Sequence, residues 1–420
     1  MDEASLSEVE GAARRVEGVW RIEGPRVIAG VARLTNDLGL AEECAQDALV
    51  AALEQWAGEG VPDNPGAWLT AVAKRRAIDA FRGNARRDHN YELLAASMSS
   101  TADDVAESAD VIRDDLLRLV FTACHPVIPA AGRIALTLKV LGGLTTSEIA
   151  RAFLVSETAM AQRIVRAKRA LAEAQVPFEA PEGAERMRRL PAVLEVIYLI
   201  FNEGYSATSG DDWLRPELCE DAMRLGRVVS ELMPAEPEVH GLVALMEIQA
   251  SRSPARTDAD GSPILLLEQN RARWDQLLIR RGLAQLERAR SLTSVQPGWY
   301  TLQAEIAACH ARARVASDTD WNQIAHLYAV LATQYPSPVV ELNRAVAVSM
   351  ASGPAAGLVI VDALRESGAL ANYHLLPSVR ANLLAKLGRT DEARAELHQA
   401  AAMTTNHPER ALLLKRASEL

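Results

Sequence analysis

Apolar positions along this chain recur at three- and four-residue spacing, and no stretch alternates as a half-buried strand would. Val27, Val31 and Leu34 form the first stripe. Gly39 interrupts it, and residues 41–56 resume it with Ala45, Leu49, Leu53 and Trp56 on one face. Residues 58–66, with three glycines and two prolines, predict a loop. Residues 67–81 predict a third helix, apolar at Trp68, Leu69, Val72, Ile78 and Phe81. Residues 88–110 are rich in Ser, Ala and acids and poor in large apolar side chains, which predicts a solvated linker. Helical spacing returns over residues 114–174, breaks at a Pro/Gly junction over 175–185, and continues to the end with Pro or Gly punctuation.

The predicted fold is therefore all-α. Two small helical domains, residues 1–87 and 114–176, are joined by an acidic linker at 88–113; a short linker at 177–186 leads to a larger helical domain at 187–420. Near the C-terminus, LAKLGRTDEARAELHQAA reads as helix, Gly-Arg turn, helix. Gly388 ends the first helix, and Ala393, Leu397 and Ala400 line one face of the second. That hairpin resembles a tetratricopeptide unit, and Trp321, Ile324, Ala325 and Tyr328 match the first helix of another. Stacked antiparallel hairpins are the expected architecture of this part.

The sharpest local signal lies at residues 144–171. Thr145 and Glu148 form a capping box, with Ile149, Ala150 and Phe153 apolar behind it. Ser156 caps a second helix whose Met160, Ile164 and Leu171 point inward. Two short helices and a tight turn describe a helix-turn-helix. Ser156, Thr158 and Gln162 put short polar groups at the start of the second helix for base edges. Arg163, Arg166 and Lys168 put cations further along for phosphates, and Gln162 and Arg163 also suit adenine and guanine edges respectively.

Charge changes the picture in one direction and then the other. With 45 basic and 55 acidic residues the net charge is -10, which argues against indiscriminate coating of nucleic acid. The average hides KRRAIDAFRGNARR at residues 74–87, which has six basic residues and one acid. Lys74, Arg75, Arg76, Arg82, Arg86 and Arg87 form a stripe able to neutralise phosphates, beside Trp68 for base stacking. Aromatics at 5% and abundant Ala, Leu, Arg and Glu favour helix over a β-sandwich.

The order of these pieces resembles a bacterial extracytoplasmic-function sigma factor of RNA polymerase. AEECAQDALVAALEQW resembles the helix by which such factors dock on the polymerase clamp. The resemblance implies polar contacts there from Glu42, Glu43, Gln46 and Asp47 around a seam that includes Leu49. PGAWLTAVAKRRAIDAFRGNARR resembles the segment that melts and reads the minus-ten element, with Asp63 and Asn64 in the loop before it implied to hold an extruded base. The helix-turn-helix has the place and the matching residues of the one that reads the minus-thirty-five element. The acidic linker would favour passage through a cationic channel of the polymerase, and it reads equally as a plain flexible tether. Residues from about 185 onward resemble the long helical, tetratricopeptide-like extension of one sigma-factor subgroup. The implied partners are core RNA polymerase and promoter DNA, with an intramolecular or protein partner for the extension. A stand-alone helix-turn-helix regulator with a partner-sensing helical domain needs fewer of these pieces.

Other chemistries find little support. Cys44, Cys124, Cys219 and Cys309 are isolated, which suits a reducing cytoplasm rather than a disulfide framework. His125, His240, His310 and His326 are scattered without metal-ligand spacing. No cofactor motif, catalytic triad, apolar signal core or membrane-spanning run is present, so a non-enzymatic cytoplasmic protein is expected. Asn202, Glu203, Tyr205, Asp211, Asp212 and Trp213 read as a capped loop between helices.

Overall fold

The computed structural model describes residues 3–85, 109–153, 155–205, 214–258, 263–404 and 406–420. Among them are eighteen α-helices, three short 3-10 turns and one isolated bridge, Thr257 to Pro263, with no strand. The all-α expectation holds. The chain divides into two compact units, Met1–Leu199 and Ile200–Leu420.

The first unit holds α1 (Glu3–Thr35), α2 (Leu38–Glu59), α3 (Pro65–Ala85), α4 (Ala109–Ala123), α5 (Ala130–Val140), α6 (Thr146–Ala152) and α7 (Glu157–Glu173). It also holds most of α8 (Gly183–Tyr205). The break after α1 falls at Asn36 and Asp37 rather than at Gly39. Asn36 takes a left-handed φ of 50°, and Asp37 accepts hydrogen bonds from the N–H groups of Gly39 and Leu40. Gly39 therefore lies in the first turn of α2. Helix α4 begins at Ala109, inside the expected linker, whose residues 88–108 lie outside the described ones. The expected junction at 177–186 is partly packed: Phe178 is buried and donates its N–H to Asn36 Oδ1 at 2.9 Å. The unit boundary falls downstream of it, within α8.

The second unit continues with α9 (Pro216–Leu232), α10 (Pro237–Ala250), α11 (Gln276–Leu292), α12 (Trp299–Arg312), α13 (Trp321–Gln334) and α14 (Pro338–Ser352). It ends with α15 (Pro354–Ser367), α16 (Leu375–Lys386), α17 (Thr390–Met403) and α18 (His407–Ser418). Helix α10 is apolar nearly all round and is buried accordingly, from Val239 through Ala250 with few exceptions. Glu238, in its first turn, accepts from the N–H groups of Tyr300 and Thr301 and so caps α12, whose own N-cap is Gly298. From α13 onward consecutive helices pack as hairpins. The α16–α17 hairpin matches the expected tetratricopeptide-like unit. Gly388 turns the chain at φ 75°, and Ala393, Leu397 and Ala400 are buried.

Candidate nucleic-acid interface

Helix α2 buries its small residues. Ala41, Ala45, Ala48, Ala52 and Trp56 face the core, spaced to let α1 and α3 approach closely. The expected face through Leu49 and Leu53 is therefore not the core face. Leu53 is 41% exposed and Val50 52%, with Glu43, Asp47 and Glu54 exposed around them. Gln46 and Leu49 are half-buried at the edge of this surface.

At the far end of α2, the Trp56 ring meets Trp68 edge-on at 5.2 Å. This pins the start of α3 and hence the loop before it. Asn64 Oδ1 accepts from the Ala67 N–H at 3.1 Å, so its carbonyl oxygen serves as a helix cap. Asp63 is exposed beside it, and Trp68 is half-buried. Along α3, Arg75 and Arg76 are exposed, as a phosphate-holding stripe requires. Lys74 departs from it. It is 8% exposed, on the same face as Ala73, Ala77 and Ile78, so burial takes it out of the stripe. The side chain of Arg82, and Arg86 and Arg87 entirely, lie outside the described residues.

The helix-turn-helix forms as expected. The Glu148 N–H donates to Thr145 Oγ1 at 3.1 Å, and the Thr145 N–H donates to Glu148 Oε2 at 2.7 Å. Burial raises the Glu148 pKa, but the Thr145 N–H and hydroxyl and the Arg21 guanidinium more than offset it and hold the carboxyl below its ordinary range. Ser156 Oγ accepts from the Ala159 N–H at 3.2 Å, so that oxygen is used as the cap of α7. Met160, Ile164, Ala167 and Leu171 are buried. On the opposite side Thr158, Gln162 and Arg166 are exposed, with Val165 at 61% and Arg169 beside them. Arg163 is half-buried and lines a hollow of about 60 Å³ with Ile134, Phe153 and Met160.

Two assigned residues meet each other instead of a partner. Lys168 Nζ is bonded to Glu42 Oε2, and Lys139 Nζ lies 3.7 Å from Glu42 Oε1. The Glu42 side chain is 8% exposed, and in this arrangement it and Lys168 are turned to each other. Two further pairs tie the first helices to the helix-turn-helix half of the unit. Arg33 donates to the buried Asp115 at 2.8 Å, and Arg21 to Glu148 at 3.2 Å. Sequence reading missed these contacts because the Glu42–Lys168 partners stand 126 residues apart.

Among the described residues no group of His, Cys, Asp and Glu could hold a metal ion, and no helix is long and apolar enough to cross a membrane.

Three family models match the chain. Sigma-70 region 2 covers residues 20–87, Sigma-70, region 4 covers 118–171, and a family of unknown function, DUF6596, covers 189–290. An "Uncharacterized protein R00370" of Rhizobium meliloti (strain 1021) is 44% identical over 392 residues, 93% of this chain and 92% of that protein. The similarity thus runs through both the helix-turn-helix half and the extension. The "ECF RNA polymerase sigma factor SigK" of Mycobacterium ulcerans (strain Agy99) is 31% identical over 150 residues, 35% of this chain and 78% of that protein. The protein of that name from Mycobacterium tuberculosis (strain ATCC 25177 / H37Ra) is 28% identical over 150 residues, again 35% of this chain and 78% of that protein. No solved structure matches the chain.

Proposed function

The chain belongs to the extracytoplasmic-function sigma factors of RNA polymerase, carrying region 2, region 4 and a C-terminal helical extension, and we propose that it binds core polymerase through α2 and directs initiation at a specific class of promoters. The observation that carries this reading is the orientation of α2. A helix that turns alanines inward and leaves Val50 and Leu53 on its surface, among Glu43, Asp47 and Glu54, presents an apolar seam with an acidic rim. Such a surface suits a permanent protein partner better than solvent.

The minus-ten element meets α3 and the loop before it. Asp63 and Trp68 receive an extruded base, with Asn64 holding the loop in shape. Arg75, Arg76 and Arg82 hold the backbone, joined by Arg86 and Arg87. The outward face of α7 reads the minus-thirty-five element in the major groove through Thr158, Gln162 and Arg166, with Arg163 and Ser156 at its margin. The Glu42 cluster gives this scheme a gate. With Lys168 and Lys139 bound to Glu42, region 4 is held against region 2, and both halves engage a promoter together once those pairs are exchanged for phosphate and polymerase contacts. The extension is a scaffold for the sigma part or for polymerase.

Transcription reconstituted from core polymerase, this chain and promoter DNA tests the proposal. Co-elution with core and run-off transcripts without another sigma factor are expected. DNA binding without core binding would make the chain a stand-alone regulator instead. A version ending at Leu199, checked for helix content, tests the extension: loss of transcripts with retained promoter binding is expected, and wild-type transcription would remove the scaffold role.

A further inference from the structure

The outward face of α7 carries one side chain that the promoter-reading scheme leaves without a task. Among the described residues of this helix, Val165 is the one large apolar side chain left in water, 61% exposed. A single exposed valine elsewhere on a surface needs no explanation. This one costs helix propensity, because its branched Cβ is restricted against the preceding turn, and it stands in the middle of an otherwise polar face. Gln162, Val165, Arg166 and Arg169 fall at i, i+3, i+4 and i+7, the spacing of residues that a helix presents together to the floor of a groove.

Two features keep Val165 uncovered and let a flat partner come close. The long side chains around it are drawn along the helix or away from this face. Arg166 Nε donates to the Gln162 carbonyl at 3.3 Å, Arg169 Nε donates to Glu173 Oε1 at 2.6 Å, and Lys168 is turned to Glu42. The line of the helix through Val165 is built of short side chains, Thr158 and Ala161 toward its start and Ala172 toward its end; Thr158 and Ala172 are exposed and Ala161 is half-buried. Valine is short, so it touches a base only where the helix backbone approaches closely, and this line of small residues permits that approach. Valine also offers no donor or acceptor. The apolar group that a base edge shows in the major groove is the C5 methyl of thymine, or the same methyl on a modified cytosine.

We infer that Val165 is a specificity-determining residue that packs against the C5 methyl group of a pyrimidine in the upstream promoter element. The inference rests on the reading of α7 as the helix that enters the major groove, and it adds a methyl contact to the hydrogen-bonding residues of that reading.

Binding-site selection with the full chain and core polymerase first gives the upstream motif. Competition binding of the same complex then compares thymine with deoxyuridine, and 5-methylcytosine with cytosine, at one position of the motif after another. At one position wild type should bind the methylated base of each pair about fourfold tighter, the worth of one methyl group removed from water. The base that the selection returns there, thymine or cytosine, tells whether the natural methyl is thymine's or a modified cytosine's. Val165→Ala retains the helix, because alanine is the stronger helix former, and should bind methylated and unmethylated bases equally. A wild type that selects an upstream motif yet ignores the methyl at every position of it, or a Val165→Ala variant that keeps the wild-type ratio, overturns the inference. So does loss of core binding in Val165→Ala with the ratio intact, which would make Val165 a polymerase contact. Selection that returns no upstream motif would instead refute the reading of α7 itself, and the inference with it.

Discussion

Replacing Glu42 by Gln isolates the charge that clasps the two halves of the first unit. The substitution keeps the volume of the side chain and removes only the carboxylate. It leaves Lys139 and Lys168 facing each other, with side chains 13% and 18% exposed. Deleting one partner of a fully buried ion pair costs roughly 3–5 kcal/mol. These lysines retain some solvent contact and can swing their ammonium groups outward, so about 2 kcal/mol is expected. Amide hydrogen exchange resolves the effect by helix. At about 1.4 kcal/mol per tenfold, protection in α2 and along the buried stretch of α7 should fall about thirtyfold. Lys168→Gln alone leaves Lys139 as a partner and should cost about 1 kcal/mol. The double variant should then fall short of the sum of the singles by about 1 kcal/mol. Additivity within about 0.5 kcal/mol, or unchanged exchange in Glu42→Gln, would show that the clasp is not an energetic unit and would refute the gate built on it.

Arg75→Ala and Arg76→Ala should each weaken binding at all promoters alike and flatten the dependence of log affinity on log salt by about one unit, measured for the polymerase complex across a salt series. Gln162→Ala and Arg166→Ala should shift upstream sequence preference by about 1–3 kcal/mol at one or two bases; a binding-site selection that returns the wild-type motif for both would remove direct readout by α7. The third concerns acid stability, and its sign follows from His310. The folded pKa, about 3, lies below the unfolded value of 6.5, so the unfolded chain binds the extra proton between them. That contribution to stability is complete above about pH 6.5 and is lost as pH falls toward 3, at up to about 1.4 kcal/mol per pH unit. His310→Gln should flatten the acid limb of the urea midpoint between pH 6 and 4 by up to that amount, and an unchanged slope would contradict the buried neutral imidazole.

What could be read along the chain was what neighbouring residues decide. The Thr145–Glu148 box, the Ser156 cap and the Gly388 turn depend on atoms three or four residues apart, and each formed where the spacing put it. Helical phase was legible too, though it misleads when size is taken for burial. In α2 the large Leu53 stands outside, and alanines make the inner face because α1 and α3 come close. The same phase marks Lys74 as inward, since it lies three and four residues before the buried Ala77 and Ile78. A run of basic residues therefore overstates a DNA-binding stripe unless it is split by helical position.

Charge pairing over long separations obeys no spacing rule, and the functional consequences of this fold sit there. Glu42 and Lys168 each matched the local pattern of an interface residue, one for polymerase and one for DNA. Their pairing makes those two assignments mutually exclusive while the unit is closed. Arg271 and His310 carry no motif at all, and the Arg271 guanidinium meets the His310 carbonyl only because α12 packs beside the turn that precedes α11. Residues read from local pattern are thus the ones proposed to touch DNA or polymerase along a single helix. Residues that pair across the first unit appear only when distant helices are placed side by side. A sigma factor whose promoter-reading surfaces are local and whose restraints are long-range can change its regulation by substitutions that leave every recognisable motif intact.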